Sequence, residues 1–131
     1  DARERHAAWE GQADVVMADV PCSGLGIIRK KPDIRYKNPK ELAQLPLVQR
    51  AILENACGYV RPGGTLVYST CTVLPEENED VTGDFLDKHP EFEPVRTAFP
   101  LPVGPCPGQV TLWPQRHGTD GFYICRMRRK D

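Results

Sequence analysis

The fold is decided by a short apolar run, Asp14-Val-Val-Met-Ala-Asp-Val20, which ends at Pro21. The run lacks the alternation of polar and apolar residues that marks a half-exposed strand, so it predicts a strand buried on both faces, as in a parallel sheet. A second run, Thr65-Leu-Val-Tyr-Ser-Thr70, is rich in residues that favour strands. The segment from Pro21 to Asn38 shows no periodicity and predicts a loop.

A helical region is predicted between these two strands. Asn38-Pro39 is typical of a helix start, with Asn as the cap and Pro in the first turn. Pro46 predicts a division into a short helix and a longer one, and Arg61-Pro-Gly-Gly64 predicts the end of the longer helix and a turn. Apolar residues at four-residue steps predict the buried face of the longer helix: Val48, Ile52, Ala56 and Val60.

Two more regular elements are predicted after the second strand. Pro75-Glu-Glu-Asn-Glu-Asp80 predicts a helix whose first turns hold acidic residues, which suits the helix dipole. Residues 90–114 are rich in proline and predict an irregular segment, whereas Gly121–Met127 predicts a final strand. The alternation of strands and helices predicts an α/β sheet with helices on its faces, and ligands bind such sheets at the carboxyl ends of the strands.

The composition is that of one globular domain. The chain has 131 residues, 40% of them apolar, and a net charge of −1, so bulk charge attraction cannot carry nucleic-acid binding, although a local basic patch can. No apolar run approaches the ~20 residues of a membrane span, and the first residues lack a signal-peptide layout. We therefore expect neither a membrane protein nor a secreted one.

The cysteines indicate reduced thiols. There are five of them, an odd number, and none forms a Cys-x-x-Cys pair. Neither a disulfide framework nor a zinc site fits this pattern. We expect a cytoplasmic protein without a metal ion.

Two of the cysteines follow the two predicted strands directly. Cys22 lies after the first strand and Cys71 after the second. If the strands are parallel neighbours, both thiols lie at the same edge of the sheet. Free cysteines are often small buried core residues, and position alone leaves that interpretation open.

Five motifs in order carry a resemblance to a known family: Asp19-Val-Pro-Cys-Ser-Gly24, Pro32-Asp-Ile-Arg35, Gly63-Gly-Thr-Leu-Val-Tyr-Ser-Thr-Cys-Thr72, Pro75-Glu-Glu-Asn78 and Thr119-Asp-Gly-Phe122. Together they resemble the carboxyl-terminal part of the Sun/NSUN-type RNA (cytosine-5) methyltransferases, which include the bacterial 16S rRNA enzyme. The resemblance spans about residues 14–127. It implies the second half of a Rossmann-like methyltransferase fold, with a mostly parallel sheet and helices on its faces.

The resemblance also implies roles for individual residues. In that family the cysteine of the Thr-Cys motif attacks carbon 6 of cytosine and the cysteine of the Pro-Cys motif assists release, which here are Cys71 and Cys22. Asp19 would contact the cofactor, S-adenosyl-L-methionine, or the amidine edge of the base. A strand-end carboxylate bonded to a nearby backbone N–H is the alternative for Asp19. Asp1 resembles the acid that contacts the adenine ring.

A basic loop after Cys22 is the predicted RNA contact. The cations and the aromatic residue that suit phosphates and unpaired bases are Arg29, Lys30, Lys31, Arg35 and Tyr36. A charged loop that contacts only solvent is the alternative. The target would be an unpaired or flipped cytosine of rRNA, because the enzyme must reach carbon 6 from the face of the ring.

The resemblance further implies that residues 1–131 are the carboxyl-terminal part of a catalytic domain without its amino-terminal cofactor-binding half. We expect the chain alone to bind S-adenosylmethionine weakly and to be inactive, and its exposed strand edge to favour dimerisation. The main alternative is a non-catalytic RNA-binding or assembly module that kept the fold. A methyltransferase for exocyclic amines fits less well, because Pro21 is followed by Cys22 rather than by a second proline and an aromatic residue. A redox thiol protein also fits less well, because the sequence has no Cys-x-x-Cys pair.

Overall fold

A computed structural model describes all residues, 1–131. Its main sheet has five strands: β1 (Ala13–Asp19), β2 (Val60–Thr70), β3 (Phe92–Pro94), β6 (Gln109–Leu112) and β7 (Phe122–Arg129). β1 and β2 are parallel, β7 lies antiparallel to β2, and both β3 and β6 pair with the far side of β7. Two further short strands, β4 (Thr97–Ala98) and β5 (Pro105–Cys106), pair only with each other.

The helices are α1 (Pro39–Leu42), α2 (Leu45–Cys57), α3 (Glu79–Lys88) and α4 (Pro114–His117). Single 3-10 turns span Ala7–Trp9, Leu25–Ile27, Pro32–Tyr36 and Pro75–Glu77. Asn38 caps α1 as predicted, because its side chain accepts a hydrogen bond from the Lys40 N–H at 3.0 Å. No helix combines the length and the apolar character that crossing a bilayer requires.

The predicted α/β class is confirmed, but the sheet is mixed rather than mostly parallel. Only the β1–β2 pairing of the main sheet is parallel, and the pairings of β7 are all antiparallel. Parallel neighbours need a long crossover connection, which α1 and α2 supply between β1 and β2. The short link from β6 to β7 contains only the single turn of α4, so it reverses the chain and forces antiparallel pairing.

The end of the long helix differs from its prediction. α2 stops at Cys57, and Val60 is the first residue of β2 rather than part of the helical face. The Arg61–Gly64 segment lies inside β2, where Gly63 has a φ of 75° and the pairing with β1 shifts register. The glycines therefore form an irregularity within a strand, because a local turn signal does not distinguish a bulge from a chain reversal.

One layer of helices covers one face of the sheet. α2 packs on β1, β2 and α3, and Leu53, Leu66 and Tyr68 are fully enclosed between the layers. On the opposite face of β1, Val15 and Met17 are exposed, at 63% and 69% of their surface. Strand β1 is therefore an edge strand covered by helices on one face only.

Candidate active site

The parallel pairing of β1 and β2 brings the two predicted cysteines together. Asp19 is the register partner of Ser69, so the residues after both strands emerge at the same edge of the sheet. The sulfur atoms of Cys22 and Cys71 lie 3.1 Å apart, and the Cys71 N–H donates to the Cys22 sulfur at 3.3 Å. Both thiols are reduced and half-buried. Two cysteines separated by 49 positions thus form one pair.

The environment of Cys22 keeps its thiol protonated. Burial disfavours the thiolate, and the hydrogen bond with the Cys71 side chain acts in the same direction. Together they raise the pKa of Cys22 to about 12. The Cys22 thiol is therefore disfavoured as a thiolate in this environment.

Both cysteines line an open cleft of about 1020 Å³. The basic residues at its wall are Lys30, Lys31 and Lys37, and Phe122 contributes an aromatic side chain that is 36% exposed. The loop after Cys22 folds over this cleft as two 3-10 turns. The cleft therefore combines thiol, cationic and aromatic groups, and the latter two are the kinds of side chain that contact unpaired nucleotides in proteins.

The predicted RNA-contacting residues have different positions. Lys30 and Lys31 line the cleft, whereas Arg29, Arg35 and Tyr36 do not. Tyr36 is 80% exposed, with the Arg35 guanidinium 5.8 Å from its ring centre. Arg35 and Tyr36 are therefore accessible to a partner larger than the cleft itself.

A carboxylate that the sequence analysis did not assign holds two of these cations. Asp120 forms ion pairs with Arg29 at 2.7 Å and with Lys30 at 2.5 Å, and its side chain is almost fully buried. The hydrogen bonds from Lys30 and Arg29 lower the pKa of Asp120. Asp120 belongs to the motif Thr119-Asp-Gly-Phe122, but the spacing of the sequence does not show that Arg29 and Lys30 are its ion-pair partners. Asp120 thus anchors the basic loop to the start of β7.

A second set of unassigned residues lies beneath the cysteines. Glu77 is 2% exposed and accepts hydrogen bonds from Ser23, the neighbour of Cys22, and from Gln49 of α2. Asn78 donates to the carbonyl of Thr72, the neighbour of Cys71, and accepts from Thr70. Pro75-Glu-Glu-Asn78 is one of the five motifs of the resemblance, but the sequence does not show which of its two glutamates is buried.

A second cavity of about 740 Å³ adjoins the cleft and shares Asp19 and Pro21 with it. It brings together Asp1 and Asp19, the two residues predicted to contact a cofactor, with apolar side chains that include Val16, Met17 and Ile52. The Asp1 carboxylate binds Arg3, and Asp19 accepts a hydrogen bond from the Ser69 hydroxyl at 3.0 Å. Carboxylates beside an apolar wall fit the ribose, amine and adenine groups of a nucleoside cofactor.

Potential metal ligands lie away from the cleft. Glu54, Cys57 and His89 place one ligand atom each within 4.8 Å of one another, near the ends of α2 and α3. His89 is bonded there to Glu54 and Glu91, and Cys57 donates to the backbone carbonyl of Glu54. These three side chains already take part in hydrogen bonds within the protein. The expected absence of a metal ion stays a prediction.

Comparisons with known proteins show which family the chain matches. The family described as "16S rRNA methyltransferase RsmB/F" matches residues 1–128. The "Probable ribosomal RNA small subunit methyltransferase B" of Bacillus subtilis (strain 168) is 44% identical over 99% of this chain and 31% of its own length. The corresponding protein of Thermus thermophilus is 41% identical over 90% of this chain and 30% of its own length.

Solved structures are similar over nearly the whole chain. The crystal structure of PH0851 superposes with a TM-score of 0.87 and 36% identity, covering 98% of this chain and 30% of that one. The crystal structure of NSun6 from Pyrococcus horikoshii with SFG superposes with a TM-score of 0.68 and 28% sequence identity. That match covers 88% of this chain and 29% of the other. The chain spans less than a third of the length of the curated relatives it matches. With its family profile matched almost from end to end and its two cysteines in one cleft, the chain belongs to the RsmB/F family of 16S rRNA methyltransferases.

Proposed function

We propose that the chain is the carboxyl-terminal part of the catalytic domain of an S-adenosylmethionine-dependent rRNA (cytosine-5) methyltransferase. The single observation that carries the proposal is the 3.1 Å approach of the Cys22 and Cys71 sulfurs in an open cleft. The names of the relatives support rRNA as the substrate. Residues 1–131 would then act together with an amino-terminal cofactor-binding half.

Covalent chemistry explains why such an enzyme needs two thiols. Carbon 5 of cytosine is a weak nucleophile until a thiolate adds to carbon 6, which makes carbon 5 enamine-like. We assign this attack to Cys71, the cysteine of the Thr-Cys motif, and the raised pKa of Cys22 disfavours Cys22 as the attacking thiolate. After methylation the proton at carbon 5 leaves to a base, its electron pair restores the ring double bond, and the Cys71 thiolate departs. We assign assistance of this release to Cys22.

The cavity beside the cleft fits the cofactor. S-adenosylmethionine, when bound, supplies an electrophilic methyl group on its sulfonium. Asp1 and the apolar wall of the cavity would hold the nucleoside part, and Asp19 lies at the boundary with the cleft, where its carboxylate can face either the cofactor or the amidine edge of the base. The relative whose structure contains SFG, an analogue of this cofactor, supports the assignment.

The test uses the full-length protein and an rRNA that contains 5-fluorocytidine. Fluorine cannot leave as a cation, so the covalent adduct accumulates and is seen on a denaturing gel. We expect Cys71→Ala to lose the adduct and Cys22→Ala to keep it. The reverse result would exchange the two roles. An adduct that neither substitution affects would dismiss both assigned roles. No adduct in the unsubstituted protein would favour the alternative of a non-catalytic RNA-binding module, for which the lysines of the cleft would suffice.

A further inference from the structure

Glu77 is a buried carboxylate without a cationic partner. It is 2% exposed, and no lysine, arginine or histidine lies within ion-pair distance of it. Its three donors are the Ser23 N–H at 2.9 Å, the Ser23 hydroxyl at 2.5 Å and the Gln49 side-chain amide at 2.9 Å. Because burying a carboxylate costs free energy that neutral partners only partly offset, an apolar residue would suit core packing better. The donors therefore indicate a role other than stabilising the core.

These hydrogen bonds hold the backbone on both sides of Cys22. The Ser23 N–H belongs to the peptide group that follows Cys22, and Glu77 accepts from it. Gln49 donates to the Pro21 carbonyl, which belongs to the peptide group that precedes Cys22, and also donates to Glu77. With both flanking peptide groups fixed, the direction of the Cα–Cβ bond of Cys22 is fixed as well.

The orientation of Gln49 supports this interpretation. Its amide nitrogen serves the Pro21 carbonyl and the Glu77 carboxylate, both of which can only accept, so the amide cannot be reversed. Its own oxygen is buried without a hydrogen-bond partner. The fold thus leaves one buried acceptor unsatisfied in order to keep the Cys22 backbone and Glu77 bonded.

The same network reaches the residue after Cys71. Ser23 Oγ lies 2.8 Å from Thr72 Oγ1. Ser23 Oγ can donate to Thr72 Oγ1 and to the Glu77 carboxylate, and because a hydroxyl has one hydrogen these two acceptors share it. Glu77 therefore acts most directly on the Cys22 loop, whereas its neighbour Asn78 bonds the Thr70–Thr72 segment around Cys71.

We propose that Glu77 is the positioning residue for Cys22 and that its loss selectively slows release of the methylated product. The proposal rests on the proposed function, in which Cys22 assists release and Cys71 attacks. Substitution of Glu77 should leave adduct formation intact and retard adduct breakdown. A merely structural role would lower both steps together or only the thermal stability.

The experiment compares Glu77→Gln with Glu76→Gln in the full-length protein. Glu76 lies on the same 3-10 turn and is exposed, so it is the matched control. The probe is a 16S rRNA transcript with ordinary cytidine plus S-adenosylmethionine, and the covalent protein–RNA complex is followed over time on a denaturing gel. We expect release to slow about tenfold or more in Glu77→Gln, since hydrogen bonds to charged groups are the strong ones. Glu76→Gln should behave like the unsubstituted protein.

Formation of the adduct is measured separately with 5-fluorocytidine RNA and should stay within about twofold of the unsubstituted rate, well below the tenfold expected from one lost charged hydrogen bond. Equal slowing of formation and release, or no change in either, would overturn the positioning role.

If Glu77→Gln does not fold, Ser23→Ala removes the hydroxyl donor at little cost in shape and is read against the same expectations. Cys22→Ala separates the two proposals. If it fails to accumulate the complex, the role of Cys22 is wrong, and if it alone accumulates, the role of Glu77 is wrong.

Discussion

Gly26 and Gly121 lie in direct backbone contact. The Gly121 N–H donates to the Gly26 carbonyl at 2.7 Å, and the Gly26 N–H donates to the Cys71 carbonyl at 3.0 Å. A Cβ at Gly121 would lie 2.7 Å from both Gly26 Cα and a methyl group of Val73. Three distant parts of the chain, the loop after Cys22, the residue Cys71 and the start of β7, are thereby joined at one point.

Replacing Gly26 by alanine should push these segments apart. The new methyl group would overlap the Gly121 carbonyl, and backbone atoms cannot move aside as a flexible side chain can. We expect a loss of about 1–3 kcal/mol in the free energy of unfolding, measured by urea denaturation. Gly83→Ala is the control, since no atom lies within 4 Å of its new methyl group in the middle of α3, and it should gain about 0.5–1 kcal/mol. Equal stability of the two variants would contradict the prediction.

Asp120→Asn should lose stability in a manner that depends on pH. The hydrogen bonds from Lys30 and Arg29 lower the pKa of Asp120 in the folded state below that in the unfolded state. Its contribution is therefore present above the unfolded pKa of about 3.9 and is lost as the pH falls through the folded pKa.

Thermal unfolding between about pH 7 and about pH 3 checks this dependence. The gap in melting temperature between the protein and Asp120→Asn should be widest at neutral pH and should close on acidification. Asp33→Asn, in the same loop and exposed, should show no such gap. A gap that stays constant with pH would assign the effect to packing rather than to charge.

His89→Gln should show the opposite pH dependence. Burial lowers the pKa of His89, but the hydrogen bonds to Glu54 and Glu91 outweigh it and raise the pKa above its ordinary value. The stabilising contribution is therefore complete below the unfolded pKa of about 6.5 and disappears as the pH rises through the folded pKa.

The stability of His89→Gln relative to the protein is measured by denaturant unfolding at about pH 5.5 and about pH 9. We expect a larger deficit at the lower pH. His6→Gln, which removes an exposed imidazole elsewhere, serves as the reference. A deficit that grows with pH would show that His89 acts as a neutral ring stacked on Phe85.

Lys31→Ala should lower the affinity for RNA, and that affinity should then depend less steeply on salt concentration. Lys31 is exposed at the cleft and has no ion-pair partner, whereas Arg29 and Lys30 share Asp120. Loss of one phosphate contact should reduce the slope of log affinity against log salt by about 1. Binding of the full-length protein to rRNA at several salt concentrations gives this slope. Arg61→Ala, at the other end of β2 and paired with Asp14, should leave the slope unchanged. An equal fall in both variants would indicate nonspecific charge attraction.

Local patterns predicted the elements that carry the site. β1, the later part of β2 and β7 lie where strands were expected, and Val48, Ile52 and Ala56 face the core from α2. These features follow from side-chain periodicity and from proline, which act over a few residues and so are readable from the chain alone.

Features that depend on distant residues were not predictable in the same way. The strands β3 and β6 within the proline-rich 90–114 segment are defined by their pairing with β7, which joins residues from distant parts of the chain. The inward turn of Glu77 rather than Glu76 likewise depends on Ser23 and Gln49, which lie in other elements. The distance along the sequence between Glu77 and either of these residues gives no indication that they are hydrogen-bonded.

By itself, the sequence determined that two thiols follow two strands and that those strands belong to an α/β sheet, because strand propensity and chain breaks are local properties. Only the tertiary structure decided that the sulfurs of Cys22 and Cys71 meet at 3.1 Å and that Asp120 and Glu77 hold the loops around them. Strand register, burial and hydrogen bonding between remote segments arise only when the whole sheet and its helices pack together.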